Sequence, residues 1–177
     1  TLADRLRRAA DARTAGGAPP PELSRDALLE VFLKVCDALD YAHGKGVVHR
    51  DLKPANIMVG RHGEVYVMDW GLAKVLHEAG LGETTRVEVG PDPLSPQLTR
   101  VGALLGTPAY MAPEQARGET GRVGPASDVY ALGLILYELV CGRPAREAPD
   151  VHGVLQQAVA GHVPPLRAPD GGPLPRE

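Results

Sequence analysis

The run His49-Arg50-Asp51-Leu52-Lys53-Pro54-Ala55-Asn56 decides how this sequence is interpreted. Two further motifs follow it, Asp69-Trp70-Gly71 and then Gly106-Thr107-Pro108-Ala109-Tyr110-Met111-Ala112-Pro113-Glu114. Between the first two motifs, residues 57–59 and 64–68 are short apolar runs joined by Gly60-Arg61-His62-Gly63, a pattern that predicts a β-hairpin. Such a hairpin would bring Asn56 and Asp69 to one edge, so the sequence indicates polar chemistry there.

Composition narrows the class of protein. The chain has 177 residues, 44% of them hydrophobic, which is enough for one globular domain with a core. A net charge of -3 gives no general attraction to nucleic acid, so we expect no nucleic-acid partner. Arginines crowd the first turns (Arg5, Arg7, Arg8 and Arg13), and we interpret them as a solvated helix face in preference to a phosphate-binding surface.

The cysteines and the apolar runs bear on location. Cys36 and Cys141 each lie among apolar residues at helical spacing, which suits buried thiols in a reducing compartment and predicts a cytoplasmic setting. The longest apolar run, residues 129–140, contains Glu138 and is too short to span a bilayer. The N-terminus has no signal-peptide pattern. We therefore expect no membrane contact from this segment.

Helical periodicity accounts for most of the remaining chain. Residues 2–13 predict a short amphipathic helix. Ser24 is a candidate N-cap for a longer helix with an apolar stripe (Leu28, Phe32, Val35, Leu39 and Ala42) that ends near Gly44. Residues 128–140 predict a helix buried on all sides, and residues 151–159 a further helix. Residues 71–106, rich in proline and hydroxyl groups, predict a long loop. The fold class is α+β, mainly α.

The three motifs, taken together, resemble the large C-terminal lobe of a serine/threonine protein kinase of the bacterial, eukaryotic-like type. The resemblance implies that residues 1–177 are part of a kinase domain and that residues 69–114 are its activation segment. No glycine-rich G-x-G-x-x-G loop and no V-A-I-K-like lysine occurs in the sequence. We therefore expect the N-terminal lobe, and the last helices of the C-terminal lobe, to lie outside these residues.

The resemblance also assigns the chemistry. Asp51 takes the position of the base that accepts the proton of the substrate hydroxyl, and Lys53 that of the cation beside the transferred phosphoryl group. Thr107 takes the position of the hydroxyl that bonds to both. Asn56 and Asp69 correspond to oxygen ligands of Mg²⁺, the ion that accompanies ATP. Met58 corresponds to the residue beneath the adenine ring; the alternative is ordinary core packing, and the two interpretations do not exclude each other.

Six further residues receive regulatory or structural roles from the resemblance: His49, Arg50, Trp70, Thr99, Glu114 and Asp128. His49 supports Trp70, which replaces the usual phenylalanine, and Arg50 pairs with a phosphorylated residue of the activation segment, or else is a surface charge. Thr99 is the candidate phosphoacceptor, with Thr84, Thr85 and Ser95 as competitors. Glu114 is expected to pair with an arginine of a late helix. Asp128 is expected to hold the catalytic loop, or else to cap its helix.

The leading functional hypothesis is an ATP- and Mg²⁺-dependent protein serine/threonine kinase whose partners are protein substrates, with autophosphorylation in trans. The resemblance leaves open a membrane anchor outside this segment. The alternative is a pseudokinase or isolated C-terminal lobe that acts as a protein-binding module. A small-molecule phosphotransferase is disfavoured because such families generally lack the Gly106–Glu114 type of loop. The 177 residues alone are expected to be inactive.

Overall fold

The computed structural model describes residues 1–70, 74–75, 108–169 and 172. Within these residues, five α-helices surround a core beside two small antiparallel sheets of two strands each. The helices are α1 (Leu2–Thr14), α2 (Arg25–Gly44), α3 (Pro113–Ala116), α4 (Pro125–Cys141) and α5 (Val151–Ala160). The strands are β1 (Val47–Val48), β2 (Ile57–Val59), β3 (Val65–Val67) and β4 (Lys74–Val75). Short 3₁₀ segments lie at Pro21–Leu23, Pro54–Asn56 and Pro108–Tyr110.

The two N-terminal helices form where hydrophobic periodicity predicted them. In α1, the Thr1 side chain accepts a hydrogen bond from the Asp4 amide, and Leu2 is completely buried. In α2, the predicted cap is present, because Ser24 Oγ accepts a hydrogen bond from the Ala27 amide at 3.3 Å. The predicted stripe of α2 faces inward: Leu28, Val35 and Leu39 are buried, and Phe32 and Ala42 are half-buried.

Helix α4 differs from its prediction in start and in burial. It begins at Pro125, three residues earlier than expected, with the proline in the first turn, where no amide hydrogen is needed. Ala131, Ile135 and Leu139 pack in one core cluster with residues of α1 and α2. Val129, however, is 57% exposed, so burial on all sides was wrong for this helix.

The hairpin is confirmed: β2 has the predicted bounds, and β3 is one residue shorter at each end than predicted. Strands β2 and β3 pair antiparallel, with Ile57 opposite Val67, Met58 opposite Tyr66 and Val59 opposite Val65. A second pairing was not predicted: β1 joins β4, which lies in the stretch expected to be loop throughout. Strands of two residues carry no periodicity, so a long-range pairing of this kind leaves no pattern in the sequence.

The predicted helix at residues 151–159 is confirmed as α5. Asp150 caps it by accepting a hydrogen bond from the Gly153 amide at 2.7 Å. Both cysteines are free thiols, Cys141 buried as expected and Cys36 only half-buried. Burial raises the pKa of the Cys36 thiol. In the part of the chain that the structure describes, every helix is too short or too polar to cross a membrane.

Candidate active site

The carboxylate of Asp128 anchors the loop that begins at His49. Asp128 lies in the first turn of α4 and is 1% exposed. Its Oδ2 accepts a hydrogen bond from the His49 amide and its Oδ1 one from the Arg50 amide, both at 2.8 Å. The Nε2 of His43, at the end of α2, approaches Oδ2 at the same distance. One buried carboxylate therefore ties α2, α4 and the loop together, and the cap of α4 is Gly124 instead.

Arg50 has a left-handed backbone, with a φ of 71°. Among the described residues, only Asp69 shares this feature without being a glycine, with a φ of 64°. A bulky side chain in this conformation is strained, and such residues persist only where the surroundings hold them. The Asp128 carboxylate supplies part of that restraint at Arg50. The Nε of Arg50 is buried and has no hydrogen-bond partner in the described part of the chain.

His49 is completely buried, and its ring is fixed on three sides. Its Nδ1 accepts a hydrogen bond from the Asp51 amide at 3.2 Å, and its Nε2 lies 2.9 Å from the Met68 carbonyl oxygen. A carbonyl can only accept, so these contacts assign the neutral ring with its proton on Nε2. The Trp70 ring lies 4.7 Å from the imidazole, tilted by 58°, and Trp70 Nε1 donates to Val67. His49 thus packs between the loop and the hairpin, and both of its ring nitrogens are engaged in hydrogen bonds.

The Asp51 side chain is positioned by two neighbours. Lys53 Nζ lies 2.7 Å from Asp51 Oδ2, and each side chain is 17% exposed. The Nδ2 of Asn56 donates to the Asp51 carbonyl at 2.9 Å and to Oδ2 at 3.3 Å. Asn56 itself is 8% exposed. Since the amide nitrogen of Asn56 points at Asp51, its side-chain oxygen is the atom left to face a cation.

The hairpin places Asp69 beside this cluster. The Met68 amide donates to the Asn56 carbonyl at 2.8 Å, so Asn56 and Asp69 lie at the same open end of the β2–β3 pair. Asp69 is exposed. On the outer face of the hairpin, Met58 is 45% exposed and Tyr66, directly opposite, is 57% exposed. Met58 is therefore not a core residue among the described contacts.

The segment before α3 approaches the same loop. Gln115 Oε1 accepts a hydrogen bond from the Ala112 amide at 3.0 Å, and Gln115 Nε2 donates to the Arg50 carbonyl at 2.5 Å. Glu114, for which an arginine partner was expected, accepts a hydrogen bond from Ser127 Oγ at 2.6 Å. A cavity of about 270 Å³ opens beside Asp51 and is lined in part by Gln115.

Arg146 fixes this segment from the other side. It is 2% exposed, and its NH1 donates to the Met111 carbonyl at 2.6 Å. Its NH2 donates to Tyr130 Oη at 2.6 Å and its Nε to the His162 carbonyl at 3.1 Å. Burial lowers the pKa of the guanidinium, which retains three neutral oxygen acceptors. Arg146 therefore joins the segment to α4 and to the residues after α5.

Tyr110 and Glu138 form a second buried contact under this segment. Tyr110 Oη donates a hydrogen bond to Glu138 Oε2. Burial raises the pKa of Glu138, opposed by the hydrogen bond from Tyr110. Burial and the neighbouring Glu138 carboxylate together raise the pKa of Tyr110.

Two predicted site residues, Thr107 and Thr99, lie outside the described residues, as do the competitors Thr84, Thr85 and Ser95. The structure joins Asp51, Lys53 and Asn56 by direct contacts, and Asp69 lies at the same end of the hairpin as Asn56. Sequence analysis missed His43, Gln115 and Arg146. Gln115 is 65 residues from Arg50 and Arg146 is 35 from Met111, so neither contact has a local pattern. His43 ends an amphipathic helix just before the loop, and that proximity was the one available indication.

Residues 19–166 match the family model of the protein kinase domain. Among curated proteins, the chain is 47% identical over 116 residues to the serine/threonine-protein kinase PknD of Protochlamydia amoebophila. It is 41% identical over 116 residues to the serine/threonine-protein kinase PknB of Mycolicibacterium smegmatis. It is 37% identical over 153 residues to the probable serine/threonine-protein kinase PknB of Bifidobacterium longum.

These alignments cover a large share of this chain and a small share of each relative. They include 64%, 66% and 86% of this chain, in the same order. Of the relatives' own lengths they include 11%, 16% and 19%. The chain thus spans less than a fifth of the curated relatives it matches.

Proposed function

Because this chain belongs to the protein kinase family, and within it to the serine/threonine kinases of the bacterial type, we propose that it carries the catalytic loop of an enzyme phosphorylating proteins. The enzyme transfers the γ-phosphate of ATP to serine or threonine hydroxyls. Residues 1–177 form part of the C-terminal lobe, and residues 69–114 form the activation segment. The observation that carries this proposal is the cluster of Asp51, Lys53 and Asn56 on a loop anchored by Asp128.

Phosphoryl transfer requires positioned groups and charge neutralisation more than covalent chemistry. Asp51 orients the substrate hydroxyl and accepts its proton, for which its carboxylate must be ionised and fixed. The Lys53 ammonium, 2.7 Å away, places a positive charge where the phosphoryl group passes. Thr107 completes this group as the hydroxyl that bonds to both. The neutral ring of His49 is already saturated by hydrogen bonds, which leaves the base role to Asp51.

ATP and a divalent cation are general requirements of the family. Here the donor set suits Mg²⁺, which prefers hard oxygen ligands: the Asn56 side-chain oxygen and the Asp69 carboxylate lie at one end of the hairpin. When bound, the ion would neutralise phosphate charge. The exposed Met58 offers an apolar surface for the base of the nucleotide.

Regulation through Arg50 belongs to the same proposal. A buried guanidinium nitrogen without a described partner is costly, and a phosphate on the activation segment would satisfy it. Thr99 is the proposed acceptor, modified by a second copy of the enzyme in trans. The proposed cytoplasmic location rests on the two free thiols, and protein substrates rest on the family resemblance.

A second candidate is a pseudokinase or an isolated C-terminal lobe that acts as a protein-binding module. The glycine-rich loop and the lysine that cover ATP in the family do not occur in the sequence of 177 residues. Without them, this part of the chain supplies one wall of a nucleotide site. We therefore expect the 177 residues by themselves to transfer little or no phosphate.

The test is transfer of radiolabelled γ-phosphate from ATP to a serine-containing and a tyrosine-containing protein, by the product of the complete reading frame. The enzyme proposal predicts labelling of the serine substrate and loss of turnover of about 10³-fold or more in Asp51→Asn, with ATP binding retained. Asp150→Asn, an exposed change of the same kind at the cap of α5, is the control. Absence of transfer by the wild type would favour the binding module.

A further inference from the structure

We propose that Gln115 is a positioning residue that couples the segment before α3 to the loop bearing Asp51. The inference rests on the function proposed above and concerns one side chain for which the resemblance gave no role. Gln115 is the residue after Glu114, in the middle of the four-residue helix α3. It is half-buried, and its amide contacts two backbones that are 62 residues apart in sequence, at Arg50 and Ala112.

Both atoms of the amide are used. Its oxygen accepts from the Ala112 amide and its nitrogen donates to the Arg50 carbonyl. A carboxylate could satisfy only the first contact, and an apolar side chain neither. Glutamine is therefore the side chain that joins a backbone donor to a backbone acceptor at this place.

At Arg50, the contact completes a restraint on a strained residue. The amide of Arg50 is held by Asp128 Oδ1 and its carbonyl by Gln115 Nε2. Fixing both backbone groups holds the left-handed φ of 71°. The carbonyl of Arg50 belongs to the peptide that leads into Asp51, so this restraint sets the direction in which the Asp51 side chain leaves the backbone.

At the other end of the Gln115 side chain, the contacts hold one peptide unit, the one that joins Met111 to Ala112. The carbonyl of Met111 accepts from Arg146 and the amide of Ala112 donates to Gln115, and these two groups share one peptide bond. That peptide belongs to the loop resembling a substrate anchor. A shift of this loop therefore moves Gln115, and with it the peptide before Asp51. Coupling of this kind affects turnover more than substrate affinity, because it governs the alignment of the base.

The first experiment follows the contact directly, by NMR of the isotope-labelled protein. Gln115→Glu keeps the acceptor and loses the donor. At pH 7 we expect the Arg50 carbonyl resonance to shift while the Ala112 amide keeps its slow hydrogen exchange. Below about pH 4 the side chain regains a proton, and the resonance should move back towards its wild-type position. Gln115→Met, which lacks both groups, should also accelerate exchange at Ala112.

Gln156→Glu is the matched control, because Gln156 is exposed on α5 and its substitution makes the same change in charge. If the Arg50 resonance in Gln115→Glu is the same as in this control, the contact is absent in solution and the proposal is overturned.

The second experiment measures steady-state phosphorylation by the complete protein. We expect Gln115→Glu to lower kcat about 10- to 100-fold, with the KM for ATP and for the protein substrate changed by less than about threefold. A kcat within about twofold of wild type, despite a shifted resonance, would overturn the positioning role. If the wild type itself transfers no phosphate, the proposed function fails, and the positioning role in transfer fails with it. The NMR result then decides the contact alone.

Discussion

At the scale of single residues, Asp128 makes the hydrogen bonds that hold the loop beginning at His49. Its carboxylate accepts from two backbone amides and from His43 while almost completely buried. In Asp128→Asn, the new amide hydrogens face one of these donors, and a charged acceptor is lost. We expect the free energy of unfolding to fall by about 3 kcal/mol, measured by urea denaturation.

The control for this prediction is Asp150→Asn. Asp150 is exposed, and asparagine caps a helix as well as aspartate does, so we expect a change of less than about 0.5 kcal/mol. Equal effects of the two substitutions would mean that the loop is not anchored at Asp128.

Glu138 gives stability a pH dependence. Burial raises its pKa in the folded protein above that in the unfolded chain, so the folded state binds more protons between the two values. The stability that Glu138 contributes therefore falls as pH rises from the ordinary carboxyl pKa of the unfolded chain towards the higher pKa of the folded protein. Glu138→Gln removes this contribution, and the side-chain oxygen of the glutamine can still accept the hydrogen bond from Tyr110.

The measurement is the difference in unfolding free energy between wild type and Glu138→Gln from pH 4 to pH 7. We expect the unfolding free energy of the variant to increase relative to that of the wild type as pH rises. Glu30→Gln, at an exposed position on α2, should show a flat difference. A flat difference for Glu138→Gln as well would contradict a raised pKa.

At the scale of elements, the hairpin depends on one glycine. Gly63 has a φ of 83°, where a side chain is strained even though the nearest atom, Lys34 Nζ, is 3.6 Å from the Cβ position. We expect Gly63→Ala to lower the unfolding free energy by about 1–2 kcal/mol. Because the hairpin aligns Asn56 with Asp69, the proposed nucleotide binding by the complete protein should weaken in the same variant.

Gly133 in α4 is the matched control with the opposite sign. It lies inside a helix, and open space surrounds its Cβ position. Alanine there should stabilise the protein by about 0.5–1 kcal/mol in the same urea experiment, because glycine is a poor helix former. Destabilisation by both substitutions would indicate a steric cause and not a backbone one.

The elements also show what sequence could predict. Helix α2 was predictable because its cap, its apolar stripe and its terminal glycine all agree, and the hairpin because its turn is short. The start of α4 at Pro125, the exposure of Val129 and the β1–β4 pairing were missed. The exposure of Val129 and the β1–β4 pairing depend on neighbours distant in sequence, as do the contacts of Gln115 and Arg146. The start of α4 does have a local signal, the proline in its first turn. The motifs and the resemblance pointed to Asp51, Lys53 and Asn56 and to Asp128 as the anchor of their loop. They did not predict the contacts of His43, Gln115 and Arg146.

At the scale of the whole molecule, the N-terminal helix belongs to the core. Leu2 is completely buried in one cluster with Leu39 of α2 and Ile135 of α4. We expect Leu2→Ala to lower the unfolding free energy by about 2–5 kcal/mol. Circular dichroism and Trp70 fluorescence should report the same transition midpoint, since one core serves both regions.

Leu33→Ala is the comparison, because Leu33 lies on α2 and is 62% exposed. Its effect should stay within about 0.5 kcal/mol. An unchanged midpoint in Leu2→Ala, or two separate transitions, would show that α1 is detached from the core in solution.

The left-handed backbone at Arg50 and Asp69 has a consequence for directed evolution of this chain. Glycine would relieve the conformational cost at either position, so a library screened for heat resistance alone should accumulate glycine there. A library of the complete protein, screened for the proposed phosphate transfer, should retain both side chains. The codons at these two positions would then record which property had been selected.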